Sequence, residues 1–156
     1  MTLPPGAYTA LVSPVGGRTG LGVIEVFEID HPEVPMIQLA TRARVLTGDN
    51  VMIGGFIIQG GPMTVVVKAI GPSLGVPNPL ANPTLTLVPA SGAPPITNDD
   101  WGSAANAAQL AATPFAPSHH LEAAILVTLQ PGAYTGIVSG VGGGTGLGMF
   151  QISVVN

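Results

Sequence analysis

The chain has 156 residues, of which 46% are hydrophobic and only 8% are charged, and its formal net charge is −4. A chain of this length can form one domain with a substantial core. The single lysine and three arginines argue against nucleic-acid binding, which needs a basic surface, and no apolar run is long enough to span a membrane. The low charge is typical of a protein with a large interface, or of a surface rich in Ser, Thr, Gly and Asn.

The first predicted elements lie in a segment that the chain contains twice. Residues 3–22 read LPPGAYTALVSPVGGRTGLG and residues 129–148 read LQPGAYTGIVSGVGGGTGLG, with 14 of 18 positions identical between Pro5 and Gly22. Each copy predicts a β-hairpin, because a glycine-rich tip separates two runs of strand-forming residues. Tyr8 and Tyr134 follow the Pro-Gly turns, and each is either a tyrosine corner bonded to the loop backbone or a plain core tyrosine.

The remaining elements also have the pattern of short strands. Together with the duplicated copies, the predicted strands are residues 7–13, 21–29, 36–46, 51–59, 63–70, 84–88, 121–129, 133–139 and 148–155. Glycine and proline turns separate them, and one alanine-rich helix is predicted over 103–112, with Ser103 as its cap. The sequence therefore predicts an all-β protein, an antiparallel β-sandwich of the jelly-roll type with at most one short helix.

The duplication predicts two parts. Residues 31–156 form one sandwich module that ends in its own hairpin, and residues 1–30 are the duplicated hairpin. We expect this hairpin to be the tail of a preceding module, or a donor or docking element that packs on its own module or on a neighbouring chain, since a lone hairpin is marginal in water.

Several motifs imitate catalytic ones without their structural context. GPSLG at 71–75 matches the nucleophile elbow of hydrolases, but proline-rich sequence follows Ser73 where a helix is required. GGGTGLG at 142–148 imitates a phosphate loop but precedes a strand. The chain is therefore predicted not to be an enzyme.

The polar loops offer candidate metal ligands. Asn98, Asp99 and Asp100 could supply oxygen ligands to calcium, or could instead cap the turn before Trp101. The SHHLE stretch at 118–122 is interpreted as a polar loop that enters a strand. A shared metal site is disfavoured, since adjacent histidines on a strand face opposite sides and cannot easily bind one ion together. No cofactor is predicted, and calcium is the one candidate metal.

Residues 82–155 resemble the bacterial pre-peptidase C-terminal type of module, through NPTLTL, the NDDW loop, LQPGAY and the closing segment. The pattern of LATRARVLTGDN, VVVKAIGPSLG, NPTLTL and NDDW is also similar to a repeated module of large exported bacterial proteins. These resemblances imply a secreted β-sandwich without catalytic residues, in which Asn98, Asp99 and Asp100 match a loop that holds calcium in some relatives.

The sequence thus predicts a non-enzymatic structural or interaction module, located outside the cell or on its surface. Its expected partners are copies of itself or adjoining modules of the same protein, joined head to tail by strand pairing and apolar packing, with no nucleic acid and no membrane span. The predicted interface residues are Leu11, Val12, Ile24, Val26 and Phe27. The alternative is a calcium-dependent, carbohydrate-directed accessory module of a secreted enzyme.

Overall fold

The computed structural model describes residues 3–28 and 36–155. The chain divides into two compact units, Met1–Met36 and Ile37–Asn156. The predicted boundary between residues 30 and 31 lies outside the described residues. Each unit is described here by itself.

The second unit contains eight strands and one short helix. The strands are β1 (Gln38–Val45), β2 (Met52–Ile58), β3 (Met63–Ile70), β4 (Pro83–Pro89), β5 (Ile96–Asn98), β6 (Ala123–Leu129), β7 (Gly132–Gly140) and β8 (Gly146–Val154), and the helix is α1 (Ala107–Ala111). The predicted helix over 103–112 is therefore shorter at both ends. Ser103 does not cap it, because its hydroxyl donates to the Asp100 carbonyl in a 3₁₀ turn at Trp101–Ser103.

The strands form two four-stranded antiparallel sheets. The first sheet has the order β1-β8-β3-β6, and the second has the order β2-β7-β4-β5. The all-β sandwich that the sequence predicts is thus confirmed. The short strand β5 has no counterpart among the predicted strands.

Alternating side chains of the two sheets meet in one core. From the first sheet come Val65, Val67, Phe150 and Ile152, which pack with residues of the second sheet. Those residues of the second sheet are Met52, Ile58, Leu85, Leu87, Tyr134 and Val138. This packing follows from the period-two pattern of each strand, which sends every second residue toward the opposite sheet.

The outer face of the first sheet is covered as well. Leu110 of α1 is fully buried and packs against Val66 of β3 and Ala124 of β6, with Trp101 and Phe115 beside them. The last residue of β5 and the segment that follows it also satisfy backbone groups of β6, the last strand in its sheet. The Asn98 side chain accepts from the Ala124 amide at 2.9 Å, and the Asn106 side chain donates to the Leu126 carbonyl at 2.9 Å.

The predicted C-terminal hairpin is wrong. β7 belongs to the second sheet and β8 to the first, so residues 129–154 cross between the layers and form an arch. A 3₁₀ turn at Val141–Gly143 makes the crossing, and Gly142 and Gly143 supply its positive φ angles of 63° and 80°. We call residues 129–154 the C-terminal arch. Each of its strands lies second in its sheet, between two partners, and not at an edge.

The predicted N-terminal hairpin is not formed either. The described residues 3–28 contain no strand, although a 3₁₀ turn at Val15–Gly17 occupies the position of the C-terminal turn. We call residues 3–28 the N-terminal segment. The C-terminal arch gives the physical reason. Its two strands pair with β1, β2, β3 and β4 and not with each other, so the same sequence without such partners forms no ladder.

Candidate interaction surface

The N-terminal segment reproduces the local geometry of the C-terminal arch. The Tyr8 hydroxyl donates to the Pro4 carbonyl at 2.6 Å, and the Tyr134 hydroxyl donates to the Gln130 carbonyl at 2.8 Å. Gly16 and Gly17 have positive φ angles of 70° and 71°, and their counterparts Gly142 and Gly143 have positive φ angles of 63° and 80°. The identical residues therefore encode the same tyrosine contact and the same turn, even without partner strands.

The N-terminal segment has two arms, one before and one after the turn at Val15–Gly17, and these arms approach each other. A Cβ atom built on Gly22 would lie 3.6 Å from a methyl carbon of Val12, a residue of the opposite arm. In the C-terminal arch, the residues at the corresponding positions, Gly148 and Val138, are both buried. The arms thus have the facing sides that an arch requires.

Along the N-terminal segment, side chains at inward positions are less exposed than side chains at outward positions. The four large side chains at positions that point inward in the C-terminal arch are 50–64% exposed: Tyr8, Val12, Ile24 and Val26. The four at outward positions are 71–93% exposed: Leu11, Leu21, Val23 and Phe27. The predicted interface residues are therefore all exposed, with Val12, Ile24 and Val26 at inward positions and Leu11 and Phe27 at outward ones, and their contact with a partner stays a prediction.

A second apolar surface lies on the outer face of the second sheet. Ile53 and Ile57 of β2 are both 60% exposed there, and Ile137 of β7 lies opposite Ile53 in the ladder. The outward positions of β2, β7 and β4, as the structure describes them, carry no charged residue. Sequence reasoning missed this surface, because the apolar residues of 51–59 occupy both faces of the strand and do not indicate which face is covered.

The edge strand β1 is open to solvent. It pairs with β8 alone, and seven of its eight residues are exposed, so both its faces are largely uncovered. Arg42 and Arg44 lie on this strand, and charged residues on an edge strand disfavour indiscriminate pairing. The β1 edge therefore differs from the β6 edge, where side chains of residues 98–106 bond the outward backbone groups.

The candidate calcium ligands do not act as one group. Asn98 uses both ends of its amide internally, since its oxygen accepts from Ala124 and its nitrogen donates to the Asp100 carbonyl at 3.0 Å. One Asp99 oxygen accepts from the Asp100 amide at 2.8 Å, while the buried Oδ1 of Asp100 has no hydrogen-bond partner. Within residues 3–28 and 36–155, no group of three or more His, Cys, Asp and Glu side chains is arranged to hold a metal ion.

The polar side chain that does organise this end of the sandwich is Glu122, which is 1% exposed. Its Oε1 accepts from the amides of Gly71 and Ser73 at 3.3 and 3.0 Å and from the Ser73 hydroxyl at 2.5 Å. Ser73 is thereby engaged in fixing the turn after β3. Burial lowers the pKa of the neighbouring Lys68, and the Glu122 charge opposes this shift.

The SHHLE stretch is a polar loop that leads into β6, as expected, but its two histidines are not on the strand. His119 and His120 lie in a turn before β6 and not on the strand, and their rings stack with centroids 4.7 Å apart. They therefore do not point to opposite faces. Their arrangement is that of a packed turn, in which His119 Nδ1 also accepts from the Leu121 amide at 3.3 Å.

Comparisons with known proteins give a likeness to solved structures but none to a family model or a curated sequence. No protein-family model matches the chain, and no curated protein matches its sequence. Among solved structures, the chain is similar to the pre-peptidase C-terminal domain of a collagenase from Bacillus anthracis. The identity is 12% and the TM-score 0.46, over 76% of this chain and 90% of that chain. The assignment as an all-β sandwich rests on the two sheets themselves.

No helix within the described parts of the chain combines the length and the hydropathy needed to cross a membrane.

Proposed function

We propose that this chain is a non-enzymatic structural or interaction module of an exported protein, which associates with copies of itself or with adjoining modules. The observation that carries the proposal is the N-terminal segment. Ten of its large hydrophobic side chains are exposed, and it has the local geometry of an arch that elsewhere in the chain is buried in a sandwich. A segment of this type gains stability only by packing against a partner surface.

The energetic scale is sufficient for association. Burying the five predicted interface residues at about 1.5–3 kcal/mol each gives on the order of 10 kcal/mol before the cost of ordering the segment. Contact between a segment at one end of the chain and a surface elsewhere on another copy is heterologous, so it extends into a linear array unless the rotation closes. The expected product is a head-to-tail series of modules.

An extracellular or cell-surface location is part of the same proposal. It is supported by the resemblance of residues 82–155 to secreted modules, on the sequence motifs given above. The net charge of −4 is consistent with partners other than nucleic acid.

The test is the concentration dependence of molecular mass, measured by light scattering coupled to size exclusion. We expect the parent chain to form multimers as concentration rises, and Ile24→Asp with Val26→Asp to abolish them while circular dichroism shows that the sandwich remains folded. Arg18→Gln with Thr19→Asp lowers the net charge by the same two units next to the exposed turn of the same segment, and this matched control should still associate.

Two outcomes would contradict this assignment of the surface. If the Ile24 and Val26 double variant associates as the parent does, the N-terminal segment is not the contact. If Ile53→Asp with Ile57→Asp alone abolishes the multimers, the outer face of the second sheet is the contact instead.

A second candidate is a calcium-dependent accessory module that binds a ligand such as a carbohydrate. The observation that favours it is the buried Asp100 Oδ1, which lacks a partner. Calcium should then raise the melting temperature of the parent and not of Asp100→Asn. Equal responses of the two proteins, or no response, would remove this candidate.

A further inference from the structure

The core contact of the C-terminal arch depends on two glycines that face one aromatic ring. Gly54 of β2 and Gly136 of β7 are direct cross-strand neighbours in the second sheet. The ring of Phe150, from β8 in the opposite sheet, lies over both. A Cβ atom added at Gly54 would lie 2.8 Å from Cγ of Phe150, and one added at Gly136 would lie 2.8 Å from Cζ, with other ring carbons closer still. Neither position therefore accepts a side chain while Phe150 is present.

The N-terminal segment carries a different pair at the corresponding positions. With the offset of the duplication, Ala10 corresponds to Gly136 and Ile24 corresponds to Phe150. Ala10 adds a methyl group on one arm, and Ile24 has three carbons fewer than phenylalanine on the other. The two changes in side-chain volume therefore have opposite signs. The N-terminal segment thus has its own matched core pair.

The two changes do not fully restore the side-chain volume that the Phe150 ring fills over Gly54. The methyl of Ala10 replaces one of the three carbons that isoleucine lacks relative to phenylalanine. If the N-terminal segment occupied the place of the C-terminal arch in this same body, the space now filled by the ring over Gly54 would be partly empty. Such a gap disappears only when the residue at the position of Gly54 has a side chain.

The outer face of β8 gives a second, independent mismatch. Ser153 is 1% exposed and accepts from the Gln151 amide nitrogen at 3.1 Å. The N-terminal segment has Phe27 in place of Ser153 and Glu25 in place of Gln151. A phenyl ring has no room where the serine is enclosed, so the covering layer of the matching body must differ from the layer around α1.

We infer that residues 3–28 are matched to the sandwich of a related but non-identical module, on which they pack better than on a second copy of this chain. The matching body has the same β1–β6 arrangement, a side chain at the position of Gly54, and space for Phe27 on the outer face of its first sheet. This inference rests on the proposed function, in which the N-terminal segment docks on a module, and it names the kind of module.

The test transfers the side chains of the N-terminal segment into the C-terminal arch of the full chain and measures melting temperatures. In the parent, Gly54→Ala should lower the melting temperature by about 5–15 °C, because overpacking a core forces side chains out of their rotamers and shifts the backbone. In the Gly136→Ala, Phe150→Ile background, the same Gly54→Ala change should raise the melting temperature. The expected result is thus a reversal of sign at one position.

Two further comparisons keep the test decisive if Gly54→Ala prevents the parent from folding. Gly136→Ala should lower the melting temperature of the parent and raise that of Phe150→Ile, by the same compensation. Ser153→Phe should lower the melting temperature of the parent, whereas Thr135→Val, an isosteric change on the outer face of β7, should have little effect.

The inference is overturned if Gly54→Ala lowers the melting temperature equally in both backgrounds. It is also overturned if the combined Gly136→Ala, Phe150→Ile, Ser153→Phe protein melts within about 2 °C of the parent, a shift that corresponds to well under 1 kcal/mol, because the two segments would then be interchangeable. These measurements do not depend on association. A parent chain that stays monomeric at every concentration would contradict the self-association of the proposed function and leave the packing result intact.

Discussion

Replacing Glu122 with alanine removes the common acceptor of three hydrogen bonds that hold the turn after β3. The donors are the Gly71 amide, the Ser73 amide and the Ser73 hydroxyl, and all three converge on Oε1 of a side chain that is almost fully buried. The residues lie about fifty positions apart in sequence, so the contact ties the turn at 71–75 to the start of β6. We therefore expect the loss to be felt by the whole sandwich.

The magnitude follows from the burial of each donor. Hydrogen bonds to a charged group contribute about 1.5–3 kcal/mol, and a buried donor left without a partner costs about 1–3 kcal/mol. The bond from the Gly71 amide is buried, whereas those from Ser73 are partly buried, so water can replace some of the loss at Ser73. Glu122→Ala should therefore lower the free energy of unfolding by about 3–5 kcal/mol, and Glu122→Gln, which keeps an oxygen acceptor, by about 1–2 kcal/mol.

The assay is urea unfolding followed by circular dichroism. Ser73→Ala removes only the hydroxyl and should cost about 1 kcal/mol. In the double variant the two losses should fall short of additivity by at least about 0.5 kcal/mol, because they remove the same contact. A loss below about 1 kcal/mol for Glu122→Ala, or strict additivity with Ser73→Ala, would refute this account of the turn.

Three other predictions concern pH, the tyrosine contacts and the outer layer. Burial lowers the pKa of Lys68, so between that value and the usual lysine value the unfolded chain binds more protons. The free energy of unfolding should therefore rise as pH increases through this interval, and Lys68→Met should flatten the rise in urea titrations at several pH values. Tyr134→Phe should cost about 1 kcal/mol by the same unfolding assay, whereas Tyr8→Phe should change it by less than about 0.5 kcal/mol; equal effects would contradict the difference in burial. Leu110→Ala should cost about 2–5 kcal/mol, since the side chain is fully buried, and a near-neutral result would show that the α1 layer does not stabilise the sheet.

The sequence by itself was sufficient for the local structure of most elements. Short β-branched runs between Gly and Pro turns predicted seven of the eight strands of the second unit, since backbone preference and period-two burial act within a few residues. The strand Ile96–Asn98 was missed because three residues cannot display a period. The contacts of Tyr8 and Tyr134 also lie within reach of sequence, because each hydroxyl bonds a carbonyl only four residues away.

Tertiary structure alone decided how these elements combine. The same turn sequence could join two strands of one sheet or cross between two sheets, and the crossing is chosen because β7 and β8 each pair with strands distant in the chain. Glu122 appeared in the sequence as a member of a polar loop, and its role depends on donors near residue 72 that only the fold brings to it. The role of Gly54 and Gly136 is likewise visible only in the fold, where the ring of Phe150 lies against both residues. Local preferences determine which segments are strands. The pairing of strands is selected by close packing between residues far apart in sequence, and a single sequence does not show which distant residues are in contact.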